Sequence, residues 1–326
     1  MALAHAGQSR HLPAEGFVVV DGIRLHYVER GHGPPVVLLH GNGSMIGDFI
    51  SSGITERVAA SHRVIVFDRP GFGHSDRPRG RTWGPSEQAK LLLRSFALLG
   101  IERTIVVGHS WGTLVALALA LEAPDKVAGL VLLSGYYYPV PHANARASSR
   151  SPIMDEILLH AVMPFAGHAI ALSALRSIFA PCIVPEKFKK HYSVRLALRP
   201  SQMKAVAEEA EMLSDSAKVL GRRYKELDMP VHLIAGSDDR IVDTDKHSAR
   251  LHRELGTSTF CSVAGKGHMV HHAAPHEVIA AIGRVGAHRW SEGRSGSTTP
   301  GTRRRDWIDI DNGVCDRQRD TAAMLG

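Results

Sequence analysis

The sequence predicts an α/β domain: a mostly parallel eight-stranded sheet flanked by helices, with an inserted helical lid. Three observations predict it. Short, fully apolar runs rich in β-branched residues recur along the chain, and runs without polar alternation mark strands buried on both faces. Segments with helical patterning lie between them, so strand and helix alternate. The alternation stops from 138 to 227, where helical patterns follow one another without a buried strand, and then resumes.

The elements follow in order. "GFVVVDGIRLHYVERG" reads as two strands around an Asp21-Gly22 turn, the strongest short-range hairpin signal. "PVVLLHG" (35–41), "RVIVFDRPG" (63–71), "TIVVGHS" (104–110), "GLVLLSG" (129–135) and "VHLIAGSDD" (231–239) are buried strands closed by turn residues, and "TFCSVAG" (259–265) is the last. "SEQAKLLLRSFALLG" from Ser86, "GTLVALALALEA" from Gly112 and "HEVIAAIGRVGAH" near the end are helices. The expected organisation is a disordered extension at 1–16, a core formed by 17–137 and 228–290, a lid at 138–227, and a flexible Gly/Ser/Thr-rich tail at 291–326.

At 326 residues and 44% hydrophobic, the chain is long enough for one large domain with an insertion. Lys and Arg exceed Asp and Glu by 39 to 32, but only Arg303–Arg305 cluster, so no nucleic-acid footprint is expected. Cys182, Cys261 and Cys315 are far apart and lack C-x-x-C spacing, which signals neither a disulfide framework nor a zinc knuckle. With no signal-peptide pattern at the N-terminus, this predicts a reduced, cytoplasmic protein. Leu158 to Val184 is apolar but broken by His160, Pro164, His168, Arg176 and Pro181, so no membrane insertion is expected.

The chemistry is concentrated in "GHSWG", Gly108 to Gly112. A serine on a sharp strand-to-helix turn sits in a strained backbone conformation, and glycines two positions away on either side let neighbouring backbone pass closely. The turn sets the hydroxyl of Ser110 at a helix N-terminus, where developing negative charge is favoured. A serine needs a base to take its proton and a carboxylate to hold that base in the right tautomer. His268, between the last strand and the last helix, is the candidate base. Asp238 and Asp239 follow the penultimate strand as candidate acids, and successive residues of an extended segment point to opposite sides. "LLHGNGS" can bring the backbone NH of Asn42 opposite that of Trp111 as a pair of oxyanion donors. His271 and His272 near His268 have no carboxylate or cysteine cluster at ligand spacing, so neither a metal nor another cofactor is expected.

Together the opening hairpin, the "HG" loop, "DRPGFGHS" at Asp68–Ser75, "GHSWG", the helical insertion, the G-x-x-D segment at Gly236–Asp239 and "GHM" resemble the α/β-hydrolase superfamily from Phe17 to Arg289. The resemblance implies the order nucleophile, acid, histidine, which Ser110, Asp239 and His268 follow, and it selects Asp239 over Asp238. It implies that Asp68, Gly71 and Gly73 shape a loop. It also implies a serine hydrolase acting through an acyl-enzyme on an ester, or related activated carbonyl, of a small apolar molecule. Haloalkane dehalogenases and epoxide hydrolases of this fold use an aspartate at the elbow, unlike Ser110. A cofactor-free haloperoxidase or perhydrolase, and a carbon–carbon bond hydrolase, are alternatives on the same triad. A non-catalytic receptor keeping the fold is the alternative of another class. Tyr136, Tyr137, Met163, Phe165 and Phe179 are the expected pocket residues.

Overall fold

The computed structural model describes residues 14–140, 163–256 and 258–292, with only the backbone path for 163–168 and 288–292. β1 (Ala14–Val20) and β2 (Ile23–Arg30) form the expected hairpin. Asp21 and Gly22 both have positive φ, 50° and 76°, as a two-residue turn matched to strand twist requires. β3 (Pro35–Leu39), β4 (Arg63–Phe67), β5 (Thr104–His109), β6 (Val127–Leu133), β7 (Val231–Gly236) and β8 (Ser258–Val263) complete the sheet. Its order is β1-β2-β4-β3-β5-β6-β7-β8, antiparallel only at β1/β2 and β2/β4. β5 is buried at all six positions, which is why its sequence shows no alternation.

One face carries α3 (Pro85–Leu98) and α4 (Gly112–Glu122). α4 is buried from Gly112 to Leu121, on every side, because the sheet and other helices enclose it. The other face carries α1 (Gly47–Ser52) and α2 (Ile54–Val58), two short helices the sequence patterns do not announce, and the C-terminal helix.

Between β6 and β7 the described residues form helices and loops: α5 (Met163–Phe179), α6 (Glu186–His191), α7 (Val194–Ala197) and α8 (Pro200–Gly221). After β7 come α9 (Arg250–Glu254), α10 (Val270–Ala273) and α11 (Pro275–Glu292). Two boundaries move. β1 takes residues 14–16 from the expected extension, and α11 takes 291–292 from the expected tail. The remainder of both segments, with 141–162, lies outside the described residues. Cys182 is a free thiol, whereas Cys261 on β8 is disulfide-bonded, a bond that the cysteine spacing in the sequence does not signal.

Candidate active site

Parallel strands end at one edge of the sheet, and the loops beyond their carboxyl ends gather there. β5 ends at His109, and Ser110 follows with φ 52°, a conformation non-glycine residues rarely adopt. Its NH donates to Leu133 O at 2.8 Å and its carbonyl accepts from Thr113 N at 3.0 Å, so the turn is over-determined from both sides. The flanking glycines are required sterically. A Cβ on Gly108 would stand 2.7 Å from Gly112 O, and one on Gly112 would stand 2.4 Å from Leu39 O.

Asp239 follows β7 with its side chain fully buried. Its Oδ1 accepts from Ile241 N and Val242 N at 2.8 and 3.0 Å, and its Oδ2 accepts from His268 Nδ1 at 2.8 Å. The carboxylate therefore fixes the proton of His268 on Nδ1 and leaves Nε2 as the basic nitrogen. Asp238, exposed, takes Ser237 Oγ instead. The two loops meet at the elbow, since His109 Nε2 donates to the carbonyl of His268 at 3.2 Å.

The "HG" loop runs beside the serine. A Cβ on Gly41 would lie 3.0 Å from Ser110 Cβ, tighter than ordinary van der Waals contact, so glycine is what lets the loop run this close to the serine. His40 holds the loop's start: Nδ1 donates to Gly41 O, and Nε2 accepts from Arg69 N at 3.0 Å. Burial, reinforced by the Arg69 charge, pushes this imidazole down to about 4, so it is neutral. Asn42 is tied by its side chain, Nδ2 to Val206 O at 3.1 Å.

Asp68 is buried and acts on the loop, as expected. Oδ1 accepts from Ile46 N, and Oδ2 from His74 N and His26 Nδ1. Gly73 leaves no room for a side chain, because a Cβ there would overlap the Asp68 carboxylate.

Sequence reasoning missed the anchoring of α8. Arg69 and Glu209 form a fully buried ion pair, with Nη2 to Oε2 at 3.0 Å. Gln88 Nε2 donates to the same carboxylate, and the Arg69 guanidinium lies 4.8 Å over the Trp111 ring. Trp111 Nε1 donates to Glu209 O, and Gln202 Oε1 accepts from Gly73 N. Charged residues on a helix normally mark its solvated face, so nothing in the sequence separates Glu209 from its exposed neighbours.

Of the expected pocket residues, Phe179 packs against Phe188 and His272 at ring distances of 4.9 and 5.2 Å, in a small apolar cluster with Leu175 and Met269. Tyr136 donates to Ile241 O and is raised to about 12 by burial and the nearby Asp239 charge. Tyr137 is a correction. It is fully enclosed in the main core, where the segment after β6 turns it inward against Gly135 and Thr113, not at a pocket mouth. The side chains of Met163 and Phe165 lie outside the described residues. A cavity of 490 Å³ lined by Ser237, Asp239, Arg240, Asp243 and Thr244 is polar and includes neither Ser110 nor His268, which makes it a poor receptacle for an apolar group.

The sequence profile of the alpha/beta hydrolase fold family matches residues 34–275. Haloalkane dehalogenase 2 of Mycobacterium tuberculosis strain H37Rv is 26% identical over 274 residues, 79% of this chain and 90% of that protein. The 2-hydroxymuconate semialdehyde hydrolase of Pseudomonas putida is 31% identical over 125 residues, 38% of this chain and 44% of that protein. Among solved structures, the enol-lactonase from Burkholderia xenovorans LB400 superimposes with a TM-score of 0.68 at 17% identity, covering 83% of this chain and 99% of that one. A likeness at that identity speaks for the fold alone.

Proposed function

Because the chain belongs to the alpha/beta hydrolase fold family, we propose that it is a serine hydrolase cleaving an ester, or a related activated carbonyl, of a small apolar substrate. One observation carries the reading: Ser110 at positive φ on the elbow, with the Nδ1 of His268 bonded to Asp239 at 2.8 Å and the His268 loop docked on the elbow. In this reading Ser110 attacks the carbonyl carbon while His268 Nε2 takes its proton. The NH groups of Asn42 and Trp111 receive the oxyanion. The tetrahedral adduct collapses as His268 returns the proton to the leaving oxygen, and water then repeats the sequence on the acyl-enzyme.

The dehalogenase relatives do not extend their activity to this chain. Displacing a halide from an alkyl carbon by the aspartate route requires a carboxylate at the elbow, and residue 110 is serine. The helical insertion is read as a cap over the site, and the cluster of Leu175, Phe179, Phe188 and Met269 as an apolar wall beside the His268 loop. A carbon–carbon hydrolase is the second reading, favoured by the semialdehyde hydrolase match over part of the chain.

A panel of p-nitrophenyl esters of increasing acyl length tests the proposal, with a vinylogous β-diketone as the carbon–carbon arm. Turnover of short and medium esters is expected, and Ser110→Ala should fold normally while losing roughly a millionfold in kcat. Residual activity within tenfold of wild type would remove Ser110 from the mechanism. Absence of both turnover and fluorophosphonate labelling would favour a receptor.

A further inference from the structure

Four buried groups meet beside the elbow: Asp48 of α1, His109 at the end of β5, and His271 and His272 of α10. Each belongs to a segment that carries part of the candidate site. Asp48 follows the Asn42 loop, His109 precedes Ser110, and the histidine pair follows His268. The sequence supplies no nearby carboxylate for these histidines, but the fold brings one from more than two hundred residues away.

Proton accounting fixes the arrangement. Asp48 Oδ1 accepts from His271 Nε2 at 2.9 Å and His272 Nε2 at 2.7 Å, and Oδ2 accepts from Ser44 Oγ at 3.0 Å. Burial opposes the charge on Asp48, but the two histidines outweigh it and hold the carboxyl well below its usual range. Carboxylate and carbonyl oxygens only accept, so His271, His272 and His109 all carry a proton on Nε2, opposite to His268. The Nδ1 atoms of His109 and His271 are then bare, buried and without a hydrogen-bond partner. Burial and the neighbouring histidines push His109 well below the ordinary imidazole range. The rings pack in series, with centroids 4.3 Å apart for His109–His271, 4.5 Å for His271–His272 and 4.9 Å for His109–His268.

Asp48, His109 and His271 bring possible ligand atoms within 4.8 Å of one another. The short contacts, however, are those of one oxygen accepting two protons. Two ligands of one ion, each about 2.1 Å from it, would stand roughly 3.4 Å apart in a tetrahedral site. His109 Nδ1, at 4.0 Å from Asp48 Oδ2, is too far for such a pair.

We propose that Asp48 is a positioning residue for His268: through His271 and His272 it clamps the histidine turn to α1, and through the packed His271 ring it seats His109 under the His268 carbonyl. It touches no reacting atom. The kinetic consequences rest on the hydrolase reading, whereas the placement of His268 does not.

Histidine-selective ¹⁵N NMR on the full chain, with Asp48→Ala, Asp48→Asn and His271→Gln, tests both parts. The wild type should show Nε2–H rings for residues 109, 271 and 272 and an Nδ1–H ring for His268. Asp48→Ala should shift or exchange-broaden the His268 signal. His271→Gln, made with Asp48 in place so that its amide can still donate to the carboxylate, should leave that signal near its wild-type position. If Asp48→Ala does not fold, His271→Ala replaces it in the comparison.

On an ester substrate, Asp48→Ala should lower kcat by about a hundredfold with KM within about twofold, as a misplaced base would. Asp48→Asn, whose amide oxygen can still accept from an imidazole, should lower kcat less than Asp48→Ala does. An unchanged His268 signal in a folded Asp48→Ala protein would overturn the proposal whether or not any ester is hydrolysed. So would saturable one-to-one zinc binding that disappears with Asp48. A wild type without turnover but with the expected signals would defeat the hydrolase reading and leave the positioning role standing.

Discussion

Asp239 divides its two oxygens between separate tasks: one is consumed by the backbone of its own loop, the other orients His268. Replacing it with Asn should preserve the loop's shape but present an amide that favours the wrong imidazole tautomer, at a cost of about ten-thousandfold in kcat. Asp238→Asn should cost tenfold or less, since that side chain is exposed and bonded only to Ser237 among the contacts described. The kcat values of the two single variants decide between them, and a collapse confined to Asp238→Asn would reverse the assignment. Alternation along an extended segment lets only one of the two neighbours face the histidine, and it is the G-x-x-D resemblance that singles out Asp239 in the sequence. Asp48 was not legible: the histidines it holds stand at the other end of the chain, and a lone Asp in "SMIGDF" carries no motif.

At the scale of elements, α8 is stapled to the core by a polar network. Arg69 to Glu209, Gln88 to Glu209, Trp111 to Glu209 O, Gln202 to Gly73 and Asn42 to Val206 O tie one helix to the elbow, the Asp68 loop and the Asn42 loop together. A buried ion pair contributes little net stability, but removing one partner strands the other charge without water. Glu209→Ala should therefore destabilise by about 3–5 kcal/mol, whereas the paired change Arg69→Met with Glu209→Leu should cost far less. Urea unfolding of the three proteins measures this, and equal losses in the single and double variants would mean that the pair does not carry the clamp. The existence of α8 could be read from its pattern. Its anchoring could not, because Gln202 and Glu209 buy burial only through partners that sequence periodicity does not register.

Over the whole molecule, the sheet was legible because β3 to β7 are buried on both faces and so read as apolar runs, while α1 and α2 were missed as single turns too short to show a period. The buried histidines set a global pH response. His40 and His247 are both pushed down to about 4, chiefly by burial, from an unfolded value of about 6.5. Between those values the unfolded chain binds protons that the native state refuses, so their contribution is complete above the unfolded value and is lost as pH falls toward 4. Each imidazole removes up to about 1.4 kcal/mol per pH unit within that window. His26 runs the other way, since Asp68 and Glu15 outweigh its burial and raise it. The melting temperature should accordingly fall from pH 7 to pH 4.5, and a flat or rising profile would contradict this balance. The central claim, that Ser110 forms a covalent acyl intermediate, is tested most directly by rapid mixing with p-nitrophenyl butyrate followed by acid quench and mass analysis of the intact protein and its proteolytic peptides. The account predicts a burst of p-nitrophenol stoichiometric with enzyme and a butyryl adduct on the peptide containing Ser110, both lost in Ser110→Ala. Turnover without burst or adduct, or an adduct that persists in Ser110→Ala, would contradict it.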